Sequence, residues 1–403
     1  MNVPTNPFRA SLGTSPPLLV GRDEILDDFR LALEEGPGAH ERISLLVGAR
    51  GIGKTALLNE MEDVARDAGW LTFSETATEG FVSSLKDQLS DFLQQDKSGR
   101  TSWQLGPGFL RVKHEEQSQS RQSTSLRAML TAVLDKLSDT ERFNRSGSGV
   151  LITVDELHFV HHDEIVEFAT AIQHLVRENL DVAVVLAGIP SSIRPLLASD
   201  GGRNPITFLR RANRVDLGRL TDSEVREGLA VPVTQAGRNW DEAALEKAVH
   251  ATGGYPFMIQ LIGNAAWRFE RGEQIGEAST DKAITRARKK LGQLVHEPAL
   301  NDLSAEDRRF LAAMSLDEGP SKITDVAQRL EVSHQQAYNY RRRLYEADMI
   351  TNERGTADFA LPYLREYLRD HVVSDILRVP VDEPQNRPNS APRRLRDYHA
   401  LSD

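Results

Sequence analysis

Cysteine is absent from this chain of 403 residues. Without cysteine there is no disulfide, no thiolate nucleophile and no metal site ligated by thiolates, so a secreted scaffold stabilised by disulfides is excluded. Long apolar runs are absent as well, and no stretch approaches the roughly 18 residues that a membrane-spanning helix needs. The first residues also lack the apolar core of a secretory signal. We therefore expect a cytoplasmic protein with no membrane partner.

Basic residues are outnumbered by acidic ones. The chain has 49 lysines and arginines and 59 acidic residues, which give a formal net charge of -10. This balance excludes a protein coated with basic surface for non-specific nucleic-acid binding, so any contact with nucleic acid must be local. The length predicts two or three domains.

The distribution of apolar residues predicts an α/β domain in the first half of the chain. Residues 1–18 contain four prolines and predict an irregular arm. Residues 19–220 alternate short apolar runs with helical patterns, which is typical of a doubly wound domain with a mostly parallel sheet. A polar stretch at about 94–123 predicts a surface insertion in this domain.

The second half of the chain predicts mainly helices. Residues 221–300 contain helical patterns only and predict a helical lid. Residues 301–378 predict helices followed by a two-stranded wing, which is the pattern of a winged-helix domain. Residues 379–403 are rich in proline and poor in apolar residues, so we expect a disordered tail.

A glycine-rich motif, GARGIGKT, lies between a predicted strand and a predicted helix. It matches the pattern G-x-x-x-x-G-K-[ST], in which backbone N–H groups and a helix N-terminus surround phosphate groups. In this pattern Lys54 reaches the β- and γ-phosphates, and the Thr55 hydroxyl binds Mg²⁺. We therefore predict a site for a nucleotide and Mg²⁺, and the resemblance described below implies that the nucleotide is ATP. The predicted binding residues are Gly48, Ala49, Arg50, Gly51, Ile52, Gly53, Lys54, Thr55 and Ala56.

An acidic pair ends the apolar run VLITVDE, which predicts a buried parallel strand. Asp155 at the carboxyl end of that strand is suited to hold Mg²⁺ beside the phosphate loop. Glu156 is suited to orient and deprotonate the water that attacks the γ-phosphate. An exposed acidic strand end would look the same, but the phosphate loop favours the catalytic interpretation.

Two further segments accompany these motifs: LVGRDEIL (Leu19–Leu26) and TGGYPFMIQLIG (Thr252–Gly263). Together with GARGIGKT and the acidic pair, they resemble AAA+ and STAND ATPases, in particular prokaryotic members similar to origin-recognition-type ATPases. The resemblance extends over residues 19–364. It implies an ATPase core, a helical lid and a C-terminal winged helix.

The resemblance also implies residues near the nucleotide base. It places Val20, Gly21 and Arg22 near the adenine, although the same residues fit a turn before an amphipathic helix. It places Pro256 against the base, although proline is equally favoured in the first turn of any helix.

Two further roles follow from similar ATPases. Arg210 and Arg211, which precede the predicted fifth strand, match the position of an arginine finger that acts on the ATP of a neighbouring subunit. A solvated basic pair is the favoured interpretation, with Arg211 as the candidate finger of a homo-oligomer. Ser191 and Ser192, beyond the fourth strand, are candidates for a polar contact to the γ-phosphate, and equally for helix caps.

The predicted helix at 333–347 carries glutamine, asparagine and arginine, the residue types that contact base edges and phosphates. Residues 301–378 nevertheless contain 11 basic and 14 acidic residues, far from the footprint of a strong DNA binder. The helix and wing therefore fit either DNA or a protein partner. The sequence as a whole indicates a slow ATPase that acts as a molecular switch in DNA-associated regulation. A signalling ATPase whose winged helix contacts protein is the alternative.

Overall fold

The computed structural model describes residues 5–11, 13–94, 125–139, 148–157, 162–190, 193, 207–351 and 355–373. By their packing these residues form two compact units. The sheet unit comprises the described parts of 22–48 and 54–217. The helical unit comprises the described parts of 1–21, 49–53 and 218–373.

A five-stranded parallel sheet is the centre of the sheet unit. Its strands lie in the order β2-β3-β4-β1-β5, and every neighbouring pair is parallel. The strands are β1 (Ile43–Val47), β2 (Leu71–Thr76), β3 (Val150–Asp155), β4 (Val182–Gly188) and β5 (Asn213–Asp216). The predicted parallel α/β sheet is thus confirmed.

Helices cover both faces of this sheet. They are α1 (Asp23–Glu35), α2 (Lys54–Asp67), α3 (Phe81–Gln94), α4 (Leu126–Ser138) and α5 (His162–Arg177). Helices α3, α4 and α5 bury their apolar faces in one core with Ile152 and Val154 of β3. Thr153, which points to the other face, donates a hydrogen bond of 2.5 Å to Glu62 of α2. Successive side chains of β3 therefore point to opposite faces of the sheet, towards α3, α4 and α5 on one side and towards α2 on the other.

The segment of the helical unit that starts at residue 218 begins with four helices and a pair of short strands. A capping box formed by Thr221 and Glu224 starts the first of these helices. The elements are α6 (Asp222–Gln235), β6 (Asn239–Trp240), α7 (Glu242–Thr252), α8 (Pro256–Phe269), β7 (Gln274–Ile275) and α9 (Glu277–Leu291). A π-helical turn, Gly292–His296, follows and leads into α10 (Glu297–Asn301).

The end of the helical unit combines helices with a small antiparallel sheet. Ser304 and Ser333 cap α11 and α13 with their side-chain oxygens. The elements are α11 (Ala305–Ser315), β8 (Ser321–Lys322), α12 (Ile323–Leu330), α13 (His334–Glu346), β9 (Thr356–Ala357) and α14 (Leu364–His371). Strands β8 and β9 pair antiparallel, and Ile350 forms an antiparallel bridge with Phe359. The packing groups these elements with α6–α10 in one unit.

The described part of the N-terminal arm contains no helix or strand, and it packs on α8. Asn6 donates to the carbonyl of Asn264, and the Asn264 amide donates in return to the carbonyl of Phe8, at 3.1 and 3.0 Å. The Phe8 ring is buried against Gly263, where a Cβ atom would lie 2.5 Å from the ring.

Several sequence predictions concern residues outside the described ranges: most of the insertion at about 94–123, the tail at 379–403, the candidate sensors Ser191 and Ser192, and the tip of the wing. Within the described ranges, no helix has the length and apolarity needed to cross a membrane.

Candidate nucleotide-binding site

The glycine-rich motif connects β1 to α2, as the sequence predicts. The Gly48 N–H donates to the carbonyl of Gly188 at the end of β4. Lys54, the first residue of α2, donates from Nζ to the carbonyl of Gly48 at 2.9 Å, and Lys54 is only 7% exposed. The ammonium group is therefore held against the loop itself, at the N-terminus of a helix whose dipole favours anions.

The acidic pair lies at the carboxyl end of β3, one strand removed from β1. The Thr55 hydroxyl donates to Oδ2 of Asp155 at 2.6 Å. The other carboxylate oxygen, Oδ1, accepts the backbone N–H of Glu156 at 2.8 Å. Glu156 has φ near +60°, a left-handed conformation that is uncommon for residues other than glycine and recurs at functional sites. The structure thus brings together the predicted oxygen ligands, Thr55 and Asp155.

This arrangement fits a magnesium ion held through a bound phosphate. Magnesium prefers one or two protein oxygens together with phosphate oxygens and water. Thr55 and Asp155 supply two such oxygens beside the phosphate loop. Within the described ranges, no group of three or more His, Cys, Asp or Glu side chains could hold a metal ion alone.

Tyr255 lies against the middle of the phosphate loop. Its hydroxyl donates a hydrogen bond to the carbonyl of Arg50, and its side chain is 2% exposed. Gly51 has φ near +75°, and a Cβ atom there would lie 2.1 Å from the Tyr255 hydroxyl oxygen. Burial raises the pKa of the Tyr255 phenol, so the hydroxyl keeps its proton and remains a donor.

Sequence reasoning missed this tyrosine. In the motif Gly253-Gly254-Tyr255-Pro256, only Pro256 is predicted from the sequence to lie near the nucleotide. The only signal of Tyr255 was a large aromatic residue between a glycine pair and a helix-starting proline.

The residues implied to lie near the adenine belong to turns and helix starts. Val20 is buried and lies near Gly228 of α6. Gly21 has φ near +65°, and Arg22 is the N-cap residue of α1. Pro256 is the first residue of α8. These positions agree with the helix-start interpretation and leave the adenine contacts as predictions.

The candidate arginine finger lies on the surface of the sheet unit. Arg210 and Arg211 are exposed and end a 3₁₀ turn, Thr207–Arg211, before β5. Nε2 of His40 donates to the carbonyl of Arg211 at 2.8 Å. An arginine finger needs such an exposed side chain, and so does a solvated basic pair, so this role also stays a prediction.

A phosphate loop between β1 and α2, with an acidic strand end nearby in a parallel sheet, defines the P-loop NTPase fold. Residues 18–187 match the family described as "AAA ATPase domain". Residues 293–368 match a second family, described as "Domain of unknown function (DUF8462)". Among curated proteins, none is significantly similar to the chain in sequence.

One solved structure shares this fold, and others show weaker similarity. The Walker-type ATPase PABY2304 of Pyrococcus abyssi is 18% identical, with a TM-score of 0.62 over 87% of this chain and 96% of that chain. RuvB of Thermotoga maritima is 16% identical, with a TM-score of 0.46 over 91% of this chain and 99% of that chain. Cdc6p from Pyrobaculum aerophilum is 14% identical, with a TM-score of 0.45 over 92% of this chain and 96% of that chain. The last two similarities, with TM-scores below 0.5, carry no conclusion about this chain. The match over residues 18–187 and the P-loop NTPase fold together support a P-loop ATPase domain similar to AAA ATPases in this part of the chain.

Proposed function

We propose that this protein is a molecular switch that binds and slowly hydrolyses ATP, and that its nucleotide state controls a C-terminal winged helix in DNA-associated regulation. One observation carries the ATPase part of the proposal. The Thr55 hydroxyl and the Asp155 carboxylate are in direct contact beside a phosphate loop whose lysine is buried. The Lys54 ammonium group and the Asp155 carboxylate thus lie at the two ends of one site, and a magnesium-bound triphosphate suits both.

Each residue of the site has a distinct task in this proposal. The backbone N–H groups of 48–56 bind phosphate oxygens, and Lys54 neutralises the β- and γ-phosphates. Thr55 and Asp155 would supply oxygen ligands to the Mg²⁺ that accompanies the nucleotide. Glu156 accepts the proton of the attacking water. A bound Mg²⁺ would neutralise charge that develops on the phosphate oxygens.

Calorimetry with MgATP and a phosphate-release assay test this proposal. We expect Lys54→Ala to abolish ATP binding, because the anion then loses its main counter-charge. We expect Glu156→Gln to retain binding and to lose phosphate release. Lys86→Ala, which removes an ion pair between α3 and α5, is the matched control and should leave both unchanged. Absence of ATP binding by the well-folded wild-type protein contradicts the proposal.

The winged-helix part of the proposal is supported by three helices, α11–α13, together with the β8–β9 pair and the bridge from Ile350 to Phe359. On α13, the side chains of Gln335, Tyr338 and Arg342 are exposed. Such a polar helix face is able to contact phosphates and base edges. Gln336 is also exposed, but its side chain belongs to the helix cap.

Salt-dependent DNA binding separates this function from its alternative. The double change Gln335→Ala and Arg342→Ala should weaken DNA binding and reduce its salt dependence. Lys282→Ala on α9 serves as a surface control. The acidic excess of residues 301–378 favours the alternative, a STAND-like signalling ATPase whose winged helix contacts protein. That alternative predicts no DNA binding even at low salt.

The proposal also includes a homo-oligomer in which Arg211 acts as an arginine finger on the ATP of a neighbouring subunit. Light scattering with ATP and with ADP tests whether nucleotide promotes self-assembly. If it does, Arg211→Ala should slow hydrolysis in the assembly without changing ATP affinity.

A further inference from the structure

The hydrogen bond from Tyr255 fixes one peptide plane of the phosphate loop. The carbonyl of Arg50 accepts the Tyr255 hydroxyl, and the N–H of the same peptide belongs to Gly51. In a trans peptide the C=O and N–H groups point in opposite directions. The Gly51 N–H therefore points away from the tyrosine. All three residues belong to the helical unit.

The contact between Tyr255 and the loop is close and buried. Tyr255 is among the most completely buried large side chains of the described residues. Any side chain at Gly51 would collide with its hydroxyl. Ile52, the next residue of the loop, is buried as well and donates its N–H to the carbonyl of Ala49. The middle of the loop is therefore packed closely against Tyr255.

We propose that Tyr255 is a positioning residue for the nucleotide: its hydroxyl orients the Gly51 N–H for a phosphate oxygen, and phosphate binding thereby acts on the turn between α7 and α8. This inference rests on the proposed ATP site. Orienting a donor before the ligand arrives removes part of the ordering cost of binding, so it strengthens phosphate affinity.

The residues beside the turn that carries Tyr255 form hydrogen bonds with residues 360–363. The carbonyl of Gly254 accepts the N–H of Leu220 at 2.8 Å, and the neighbouring Arg219 donates to the carbonyl of Ala360 at 3.3 Å. The Tyr363 hydroxyl donates to the carbonyl of Ala251, in the last turn of α7, at 2.5 Å. Residues on either side of this turn are thus hydrogen-bonded to Ala360 and Tyr363.

The test compares Tyr255→Phe with the wild-type protein in calorimetric titrations of MgATP and of adenosine. The variant keeps the ring and loses only the donor. We expect about a fivefold to tenfold weaker affinity for MgATP, the effect of one misoriented hydrogen bond, and unchanged affinity for adenosine, which has no phosphate. Tyr338→Phe, on the exposed face of α13, is the matched control and should bind MgATP like the wild type.

Three outcomes overturn the inference or its basis, and they differ from one another. Equal MgATP affinity of Tyr255→Phe and the wild type overturns the positioning role. A matched loss of affinity for MgATP and adenosine indicates a structural role and also overturns it. No MgATP binding by the wild type contradicts the proposed ATP site itself.

Hydrogen exchange on the wild-type protein gives a second measurement that does not depend on the variant. We expect MgATP, but not adenosine, to increase protection of peptides that span Thr252–Pro256 and residues 360–363. Binding of MgATP without a change in these peptides overturns the inference even if Tyr255→Phe fails to fold.

Discussion

Arg343 of α13 forms two hydrogen bonds to the carboxylate of Asp307 in α11, with its Nη2 at 2.7 Å from Oδ1 and its Nε at 3.1 Å from Oδ2. The Asp307 side chain is 7% exposed, whereas that of Arg343 is 44% exposed. The Asp307 carboxylate raises the pKa of the Arg343 guanidinium through this hydrogen bond. Arg343 therefore joins two helices through two hydrogen bonds to one carboxylate.

Arg343→Ala should lower the free energy of unfolding by roughly 1–3 kcal/mol, because it leaves a buried carboxylate without its partner. Arg342→Ala should change it by less than about 0.5 kcal/mol, because Arg342 is exposed and its ion pair with Glu346 is long, at 3.9 Å. Urea denaturation at neutral pH measures both changes. Equal stability of the two variants contradicts the structural role of the Arg343 pair.

The contrast between these two arginines shows what the sequence can and cannot predict. Arg342 and Arg343 are adjacent and chemically identical, and both look like candidates for DNA contacts. Their different roles depend on Asp307, which lies 36 residues away in the chain. The local pattern places both on one helix, but only tertiary packing decides which of them is paired.

The nucleotide site likewise contains residues that the sequence predicts and one that only tertiary packing reveals. Lys54 and Thr55 could be predicted because the phosphate loop is a contiguous motif between a strand and a helix. Asp155 could be predicted because carboxyl ends of parallel strands share one edge of the sheet. The role of Tyr255 could not, because its hydrogen bond joins residues 205 positions apart.

Phe8→Ala should destabilise the protein by about 2–4 kcal/mol, because Phe8 is 3% exposed and fills the space above Gly263. The Leu31 side chain is 54% exposed, so Leu31→Ala is the matched control and should have an effect below about 0.5 kcal/mol. Thermal unfolding measures both. A wild-type melting temperature for Phe8→Ala means that the arm does not contribute to the stability of the fold.

His296 provides a titratable group in the interior of the helical unit. It is 1% exposed, and its Nε2 donates to the carbonyl of Pro362 at 2.9 Å. Its other ring nitrogen, Nδ1, is buried and has no hydrogen-bond partner among the described residues. The imidazole ring of His296 packs edge-on against the ring of Tyr367. The Tyr367 ring in turn stacks on the ring of His371. Burial lowers the pKa of His296 from 6.5 to about 4.

The protein should lose stability on mild acidification because of His296. The unfolded state binds a proton near pH 6.5 and the folded state only near pH 4, so stability is complete above pH 6.5 and falls as the pH decreases towards 4. The expected loss from this group is about 2 kcal/mol at pH 5. His296→Gln keeps a donor for Pro362 and cannot titrate. Urea denaturation at pH 7 and pH 5 should therefore show a smaller difference for the variant, and an unchanged difference contradicts this assignment.

Asp155→Asn should reduce the dependence of ATP binding on magnesium. The asparagine oxygen is able to accept one of the two hydrogen bonds that Asp155 accepts, from Thr55 or from the Glu156 N–H, but it lacks the charge that attracts the cation. In the wild-type protein we expect ATP to bind more tightly with magnesium than with EDTA, and the ratio of the two dissociation constants should fall about tenfold in the variant. Asp63→Asn, which changes an exposed carboxylate of α2, should retain the wild-type ratio. If Asp155→Asn retains it as well, the cation does not lie beside Thr55 and Asp155.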